Sequence, residues 1–279
     1  MHPVAGCSDD TGSSDSGTTS PETSVRTSPS ADPLDGYSRA VDVGGRSLHL
    51  TCSGEGAPTL VLESGEGQPG DSLDAIRTAY EDAHVVCSYD RANVGASDAA
   101  PTPRKAETLT NDLHELLREG DVPGDYVLVG HSAGGLLVQA YARAHPDEVA
   151  GVVALNPVPP LPAWSALGFR EMSPPERAAE RTYYSGDNGE SLDYRDVSDA
   201  VVGSPAPRGV PFHLVISTIA QCASPEDICG RTYPAYEAIM RAVSRQWPGG
   251  RFTEVKSGHE IHVSDLSAVQ AAVDDVLSR

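Results

Sequence analysis

The chain has 279 residues and a formal charge of −20 at pH 7, from 40 Asp and Glu against 20 Lys and Arg. A surface this acidic repels nucleic-acid phosphates and anionic lipid headgroups, so the composition argues against both as partners. The sequence also contains no apolar run of about 18 residues, the shortest that indicates a membrane-spanning helix.

The first 36 residues differ in composition from the rest of the chain. Residues 8–36 are mostly Ser, Thr, Asp, Pro and Gly, and no Phe, Trp or Tyr precedes Tyr37. Such a segment cannot bury enough apolar surface to offset the entropy lost on ordering its backbone. We therefore expect a disordered tether over 1–36 and a single globular domain over 37–279.

A short motif near the start of the tether suggests export. Val4-Ala5-Gly6-Cys7 resembles the lipobox of bacterial lipoproteins, in which the cysteine is lipidated after the signal peptide is cleaved. The charged and apolar segments that should precede it are absent, so a start further upstream, a trimmed chain and a chance match all stay open. The tether favours a lipoprotein, because an anchored domain needs a spacer. We expect an exported protein, either anchored in the cell envelope through Cys7 or secreted.

The other four cysteines agree with export. Cys222 and Cys229 lie seven residues apart in a loop, and Cys52 and Cys87 each close a predicted strand region. Two disulfides and one lipidated cysteine would use all five cysteines, whereas buried free thiols in a cytosolic protein are the alternative.

In chain order, the domain begins with a predicted β-hairpin over 38–50 and then alternates strands with helices. Strands are predicted over 59–63, 84–89, 126–129, 149–155, 210–217 and 251–255, and helices over 73–82, 106–119, 136–146, 236–247 and 266–277. This alternation predicts an α/β fold with a mostly parallel central sheet and helices on both faces. Residues 157–207 interrupt it with four early prolines and an irregular, partly helical stretch, which we interpret as a small cap insertion.

The strand at 126–129 leads into Gly130-His131-Ser132-Ala133-Gly134 and then into an apolar helix. A serine hydroxyl is a weak nucleophile, and a sharp strand-to-helix turn presents it to a base and to free backbone N–H groups. Gly130 and Gly134 lack the side chains that would block this close approach. The flanking strand and helix argue against a chance match, so Ser132 is the predicted nucleophile.

Three further motifs follow predicted strands: Ser64-Gly65-Glu66-Gly67, the run from Tyr89 to Asp98, and Ser257-Gly258-His259. Together with the Ser132 turn, they make the chain similar to members of the α/β-hydrolase superfamily from about Tyr37 to the C-terminus. The resemblance implies the α/β-hydrolase fold. It also implies that Asp90 and Arg91 brace the loops around the site.

The resemblance assigns the remaining catalytic groups apart from the acid. His259, in the Gly-His position after the last strand, is the implied base, and His262 is the alternative. The N–H groups of Ala133 and Glu66 are the implied oxyanion hole, which stabilises the negative charge that develops on the substrate oxygen. Ser64 stands where the family usually has histidine.

The acid that orients the histidine follows the seventh strand in most members of the family and the sixth in others. Asn156 follows the sixth strand here and cannot stabilise an imidazolium by charge. After the seventh strand, Asp227 is our prediction and Glu226 the alternate. Glu190 and Asp193, in the cap, are further candidates.

These features predict a serine hydrolase that cleaves a carboxylic ester of a small-molecule acyl substrate through an acyl-enzyme on Ser132. No metal or organic cofactor is expected. An amidase or peptidase, a thioesterase or a lipase of the same fold is the nearest alternative. A ligand-binding relative without catalysis and a cofactor-free haloperoxidase are alternatives of other classes.

Overall fold

The computed structural model describes residues 37–279. The predicted tether over 1–36, with Cys7, lies outside the described residues. The strands are β1 (Tyr37–Asp42), β2 (Ser47–Ser53), β3 (Thr59–Glu63), β4 (Val86–Tyr89), β5 (Tyr126–His131), β6 (Val149–Leu155), β7 (Phe212–Ser217) and β8 (Arg251–Val255). The α-helices are α1 (Asp74–Tyr80), α2 (Ala106–Glu119), α3 (Ala133–Ala144), α4 (Leu161–Leu167), α5 (Pro174–Tyr184), α6 (Tyr194–Gly203), α7 (Ile228–Gln246), α8 (Ile261–Ser264) and α9 (Leu266–Leu277).

All eight strands form one sheet in the order β1-β2-β4-β3-β5-β6-β7-β8. β2 runs antiparallel to both of its neighbours, and every other pairing is parallel. The central strands β3, β5 and β7 are buried along their whole length, as expected for parallel strands covered on both faces. The predicted α/β class is confirmed.

Alternate side chains of the central strands point into two separate cores. Val127 and Val129 pack on the face that α1 and α9 cover, through side chains such as Ile76 and Val273. Leu128, between them, packs on the other face with residues of α2, α3 and α7. The two-residue period of a strand thus divides the apolar side chains between the faces and keeps the sheet in the middle layer.

Two elements near the site differ from the predictions. α7 begins at Ile228, eight residues before the predicted start, because Asp227 caps its N-terminus by accepting a hydrogen bond from the Gly230 N–H. Pro234 lies inside this helix, where a proline normally argues against helical structure. The short helix α8 follows the predicted base almost at once, and its four residues are too few to show a helical period.

The two predicted disulfides are present. Cys52 and Cys87 are directly opposite on β2 and β4, and Cys222 is bonded across the start of α7 to Cys229. Among the helices of residues 37–279, none combines the length and the hydropathy that a membrane span requires.

The insertion between β6 and β7 contains α4, α5 and α6. Side-chain bonds to main-chain atoms hold its parts together: Ser198 Oγ accepts from the Leu161 N–H at 2.9 Å, and the Tyr184 hydroxyl donates to the Pro159 carbonyl at 2.7 Å. These helices lie in the segment that the sequence predicts as a cap.

Candidate active site

Ser132 lies in the turn between β5 and α3, with φ 54° and ψ −114°. A non-glycine residue in this region of backbone space is strained by about 1–3 kcal/mol and needs support from its surroundings. The Ser132 N–H donates to the Leu155 carbonyl at 2.9 Å, and the Ser132 carbonyl accepts from the Gly135 N–H at 3.0 Å. The main chain on both sides therefore holds the strained turn.

The two glycines of the motif are required by close packing. A Cβ atom on Gly130 would lie 2.3 Å from the Gly134 carbonyl oxygen, and one on Gly134 would lie 2.1 Å from the Glu63 carbonyl oxygen. Neither position has room for a side chain. This packing brings α3 against the end of β3, where the loop with the predicted oxyanion donor begins.

Ser132 and His259 line the same cavity, whose volume is about 240 Å³. No direct hydrogen bond joins their side chains in the described structure, and catalytic hydrogen bonds of this kind often tighten only when substrate is bound. Aromatic side chains form much of the wall, and they are Trp164, Tyr183, Tyr184, Tyr233 and Tyr236. The predicted nucleophile and base thus share one largely aromatic cavity.

The imidazole of His259 has an amide partner. Its Nδ1 lies 3.4 Å from Gln221 Oε1, and within residues 37–279 no carboxylate is hydrogen-bonded to the ring. Burial lowers the pKa of His259 below its usual value, and only the charge of Glu260 opposes this. Gln221 lies in the loop after β7, where the family places its acid. Gln221 is absent from the residues predicted from the sequence, because only carboxylates were expected to partner the histidine.

The predicted acid Asp227 has another role in the structure. One carboxylate oxygen accepts from the Gly230 N–H at 2.7 Å and the other from the Ser224 N–H at 2.9 Å, and these bonds lower the pKa of Asp227. Asp227 caps α7, and no described contact links it to His259. The assignment of Asp227 as the triad acid therefore stays a prediction without a supporting contact.

The three alternate acids also lie elsewhere. Glu190 is buried in an ion pair with Arg91, and Asp193 caps α6 by accepting from the Asp196 N–H. Glu226 is exposed to solvent. None of the three lines the cavity that holds Ser132 among the described residues.

Asn156, at the end of β6, positions the loop that carries the base. Its Nδ2 donates to the His259 carbonyl at 2.7 Å and to Ser217 Oγ at 2.9 Å, while its Oδ1 accepts from the Ser217 N–H. From the sequence, Asn156 is only a residue without charge at a position where some members of the family have the acid. The amide instead binds main chain, a role that its position after a strand does not reveal.

Two more histidines pack beside His259. His131 Nε2 lies 3.1 Å from the His259 carbonyl and must donate to it, since a carbonyl only accepts. Burial, reinforced by the two neighbouring imidazoles, lowers the pKa of His131 to about 3, so this ring stays neutral. His262, the alternative base, is buried with its ring centroid 4.8 Å from that of His131 and does not line the cavity.

The predicted oxyanion donors lie at the start of α3 and in the loop after β3. Ala133 is the first residue of α3, so its N–H has no acceptor within the helix. The Glu66 N–H donates to no other backbone group in the described structure. The assignment of these two N–H groups as the oxyanion hole stays a prediction, because neither residue is among those that line the cavity.

The Glu66 carboxylate binds the cap. Its Oε2 accepts from the hydroxyls of Tyr183 and Tyr194, at 2.5 and 2.6 Å, and its Oε1 accepts from the Gly189 N–H at 2.8 Å. Tyr183 also lines the cavity. One residue therefore joins the predicted oxyanion loop to a side chain of the substrate cavity.

Arg91 braces this region as the resemblance implied. Its guanidinium is buried and donates to the carboxylates of Glu63 and Glu190 and to the carbonyls of Ser64 and Gly65, at 2.6–2.8 Å. Burial raises the pKa of Glu63, and the charge of Arg91 works against that rise. Arg91 therefore binds the cap, the loop after β3 and the sheet at the same time. Asp90 braces the neighbouring loops through the N–H groups of Gly70 and Ala96, each at 2.8 Å.

Two groups of side chains in the described range have the composition of a metal site. The ligand atoms of His114, His145 and Glu148 lie within 4.8 Å of one another, away from the residues that line the cavity. The other group consists of Asp227 and the two cysteines of the second disulfide. Because those cysteines are oxidised, they offer no thiolate to a metal.

The fold and the site together define a class. A serine on a strained turn after β5, a cap between β6 and β7, and a histidine after the last strand of a mostly parallel sheet form the architecture of the α/β-hydrolases. Residues 58–190 match the family model described as alpha/beta hydrolase fold. The chain has the α/β-hydrolase fold, as the motifs predicted.

Known proteins agree with the fold. The chain is 29% identical over 122 residues to the 2-(acetamidomethylene)succinate hydrolase of Mesorhizobium japonicum, an alignment that covers 44% of this chain and 43% of the relative. It resembles the crystal structure of the enol-lactonase of Burkholderia xenovorans LB400, with a TM-score of 0.61 and 20% identity over 86% of this chain and 100% of the other. A thermophilic esterase of Thermogutta terrifontis gives a TM-score of 0.58 and 18% identity over 87% and 98%.

The alignments to curated relatives are partial. The chain spans about two fifths of the length of the first such relatives, 41% and 38%. Likeness to solved structures at 20% identity or less shows the fold alone.

Proposed function

We propose that this protein is a serine hydrolase that cleaves a carboxylic ester through an acyl-enzyme on Ser132. The observation that carries the proposal is the strained Ser132 turn, held open to a cavity that His259 also lines. The esterase and the enol-lactonase of the same fold act on related acyl bonds, which supports the choice of reaction.

In the proposed first step, Ser132 Oγ attacks the acyl carbon while His259 Nε2 takes the hydroxyl proton. The carbonyl oxygen gains the negative charge and accepts hydrogen bonds from the N–H groups of Ala133 and Glu66. His259 then returns its proton to the leaving alkoxide oxygen as the ester bond breaks. A water molecule repeats the sequence on the acyl-enzyme and releases the acid.

Gln221 has a positioning role in this mechanism. Its Oε1 accepts from the Nδ1–H of His259, which leaves Nε2 as the lone-pair nitrogen that the base requires. An amide orients the ring but cannot stabilise its positive charge as a carboxylate does. The histidine is then a weak base, and this favours ester substrates, because an alkoxide leaves more readily than the amine of an amide.

The test is labelling with a fluorophosphonate probe, with the adduct located by mass spectrometry. We expect modification at Ser132 in the full chain and none in Ser132→Ala, with thermal melting to show that both proteins are folded. Hydrolysis of p-nitrophenyl esters in parallel should vanish in the same variant. Absence of labelling and turnover in folded protein would overturn the proposal.

One observation favours a second function, ligand binding without turnover: the predicted base has an amide where the family has an acid. Saturable binding of an ester without hydrolysis, together with an unlabelled Ser132, would support it. Esterase activity that disappears in Ser132→Ala would reject it.

We also propose that the protein is exported. The two disulfides support this, because such bonds persist mainly in oxidising compartments. Anchoring through a lipidated Cys7 would place the chain in the membrane fraction of cells that make it, and Cys7→Ser should release it. An unlipidated chain that stays in the cytoplasm would contradict the proposal.

A further inference from the structure

One wall of the cavity carries a carboxylate among aromatic rings. Glu180 lies on α5 in the cap and lines the cavity together with Ser132 and His259. Its Oε1 accepts a hydrogen bond from Trp164 Nε1 at 2.7 Å. The carboxylate is half-buried, so solvent only partly compensates its charge.

Within residues 37–279, Glu180 forms no ion pair. Of the described residues that line the cavity, none is Lys or Arg. The two arginines nearest to it on α5 are used elsewhere: Arg177 donates to the carbonyls of Phe169 and Met172, and Arg181 lies 5.1 Å above the Phe169 ring. Burial raises the pKa of Glu180, and the hydrogen bond from Trp164 is the only interaction that opposes the rise.

The tyrosines around Glu180 have other partners for their hydroxyls. Tyr184 donates to the Pro159 carbonyl, Tyr236 to the Pro157 carbonyl at 3.1 Å, and Tyr183 to the Glu66 carboxylate. The hydroxyls are therefore occupied, and the aromatic rings are the parts of these side chains that a ligand can contact. Aromatic faces carry negative electrostatic potential and attract cations, most strongly where water is excluded.

We propose that the cavity selects an acyl substrate that carries an ammonium group, which binds to the Glu180 carboxylate and the surrounding aromatic rings while the acyl carbon lies at Ser132. This substrate class rests on the proposed serine hydrolase function. The ammonium charge supplies the partner that Glu180 lacks, and the rings contribute a cation–π attraction.

The test uses pairs of esters that differ only by nitrogen or carbon at one quaternary centre. Butyrylcholine and 3,3-dimethylbutyl butyrate place that centre on the alcohol side. The p-nitrophenyl esters of 4-(trimethylammonio)butanoate and 5,5-dimethylhexanoate place it on the acyl side. The charge of a quaternary ammonium does not change with pH, so each ratio of kcat/KM measures preference for charge at matched shape.

We expect the unaltered protein to prefer the cationic member of at least one pair by about tenfold or more. Glu180→Gln keeps the acceptor for Trp164 and removes the charge, so it should lower that ratio about tenfold. A ratio taken within one preparation cancels any general loss of activity. Glu171→Gln is the matched control, since Glu171 is exposed and does not line the cavity, and it should keep the ratio of the unaltered protein.

Ratios at or below one for both pairs, or a ratio that Glu180→Gln leaves unchanged, would overturn the proposal. If no ester is hydrolysed and Ser132 is not labelled, the hydrolase function fails instead, and the cation site is then tested by binding. Tetramethylammonium should change the fluorescence of Trp164 in the full chain and not in Glu180→Gln. No saturable change in the unaltered protein would overturn the cation site as well.

Discussion

The cavity has a sheet side, which carries Ser132 and Ala133, and a cap side, formed by the insertion between β6 and β7. Different kinds of contact hold the two sides in place. On the sheet side, backbone contacts position Ser132 and Ala133, and Gly130 and Gly134 allow the strands and α3 to meet. On the cap side, buried or half-buried carboxylates hold the structure together, as Glu66 and Glu190 show. Backbone contacts tolerate little change, whereas side-chain contacts can be altered one at a time. In the proposed function, the reaction therefore takes place on the rigid side, and the substrate is selected on the adjustable side.

The largest effect is expected on the sheet side, at the predicted base. His259→Ala should lower kcat/KM for a p-nitrophenyl ester by about 10⁴-fold or more, because the serine loses its proton acceptor. His262→Ala is the matched control and should keep the rate within about tenfold, since His262 does not line the cavity. The reverse pattern would assign the base to His262.

The next effect concerns the packing of the turn. Gly134→Ala places a Cβ atom 2.1 Å from the Glu63 carbonyl oxygen, and the backbone must shift to relieve the contact. We expect the free energy of unfolding to fall by about 2–4 kcal/mol in urea denaturation. A Cβ atom on Gly124 would have no neighbour within 4 Å. Gly124→Ala should therefore change the free energy of unfolding by no more than about 0.5 kcal/mol. Equal losses in the two variants would show that the turn is not closely packed.

Gln221 lies between the two sides of the cavity. Replacing it should change the pH dependence of kcat/KM. Burial lowers the pKa of His259, so the fall of kcat/KM at acid pH should have its midpoint below the usual histidine pKa of about 6.5. Gln221→Glu puts a negative charge beside Nδ1, raises the pKa and should move this fall to higher pH by about one unit.

Gln221→Ala is the control for the loss of orientation alone. It should lower kcat by about tenfold without moving the fall to higher pH, because no charge is added. An unchanged profile in Gln221→Glu would mean that Gln221 does not contact the catalytic base.

The smallest effect is expected on the cap side. Tyr183→Phe keeps the ring in the cavity wall but removes the hydroxyl that binds Glu66, so the predicted oxyanion donor is held less firmly. We expect kcat to fall about three- to tenfold with little change in KM. Tyr184→Phe also keeps a ring of the wall and loses only a bond to Pro159, so kcat should stay near that of the unaltered protein. If both variants changed KM equally and left kcat unaltered, the bond from Tyr183 to Glu66 would not position the oxyanion donor.

The elements with strong local patterns were predicted closely. The strands at 59–63, 149–155 and 251–255 and the helices at 106–119 and 266–277 have the predicted bounds. In the two helices the apolar residues repeat with the helical period and are buried, so local sequence and final packing agree. The start of α7 was predicted eight residues too late, because Asp227 was considered as a catalytic acid and not as a helix cap.

The sequence by itself determined the alternating α/β order and the Ser132 turn, since each depends on residues close in the chain. Only the tertiary structure decided which groups meet across the cavity. Gln221 and His259 are 38 residues apart, and Glu66 and Tyr183 are 117 apart. Contacts of this range depend on how whole elements pack, and a local pattern carries no record of which distant side chain will lie opposite.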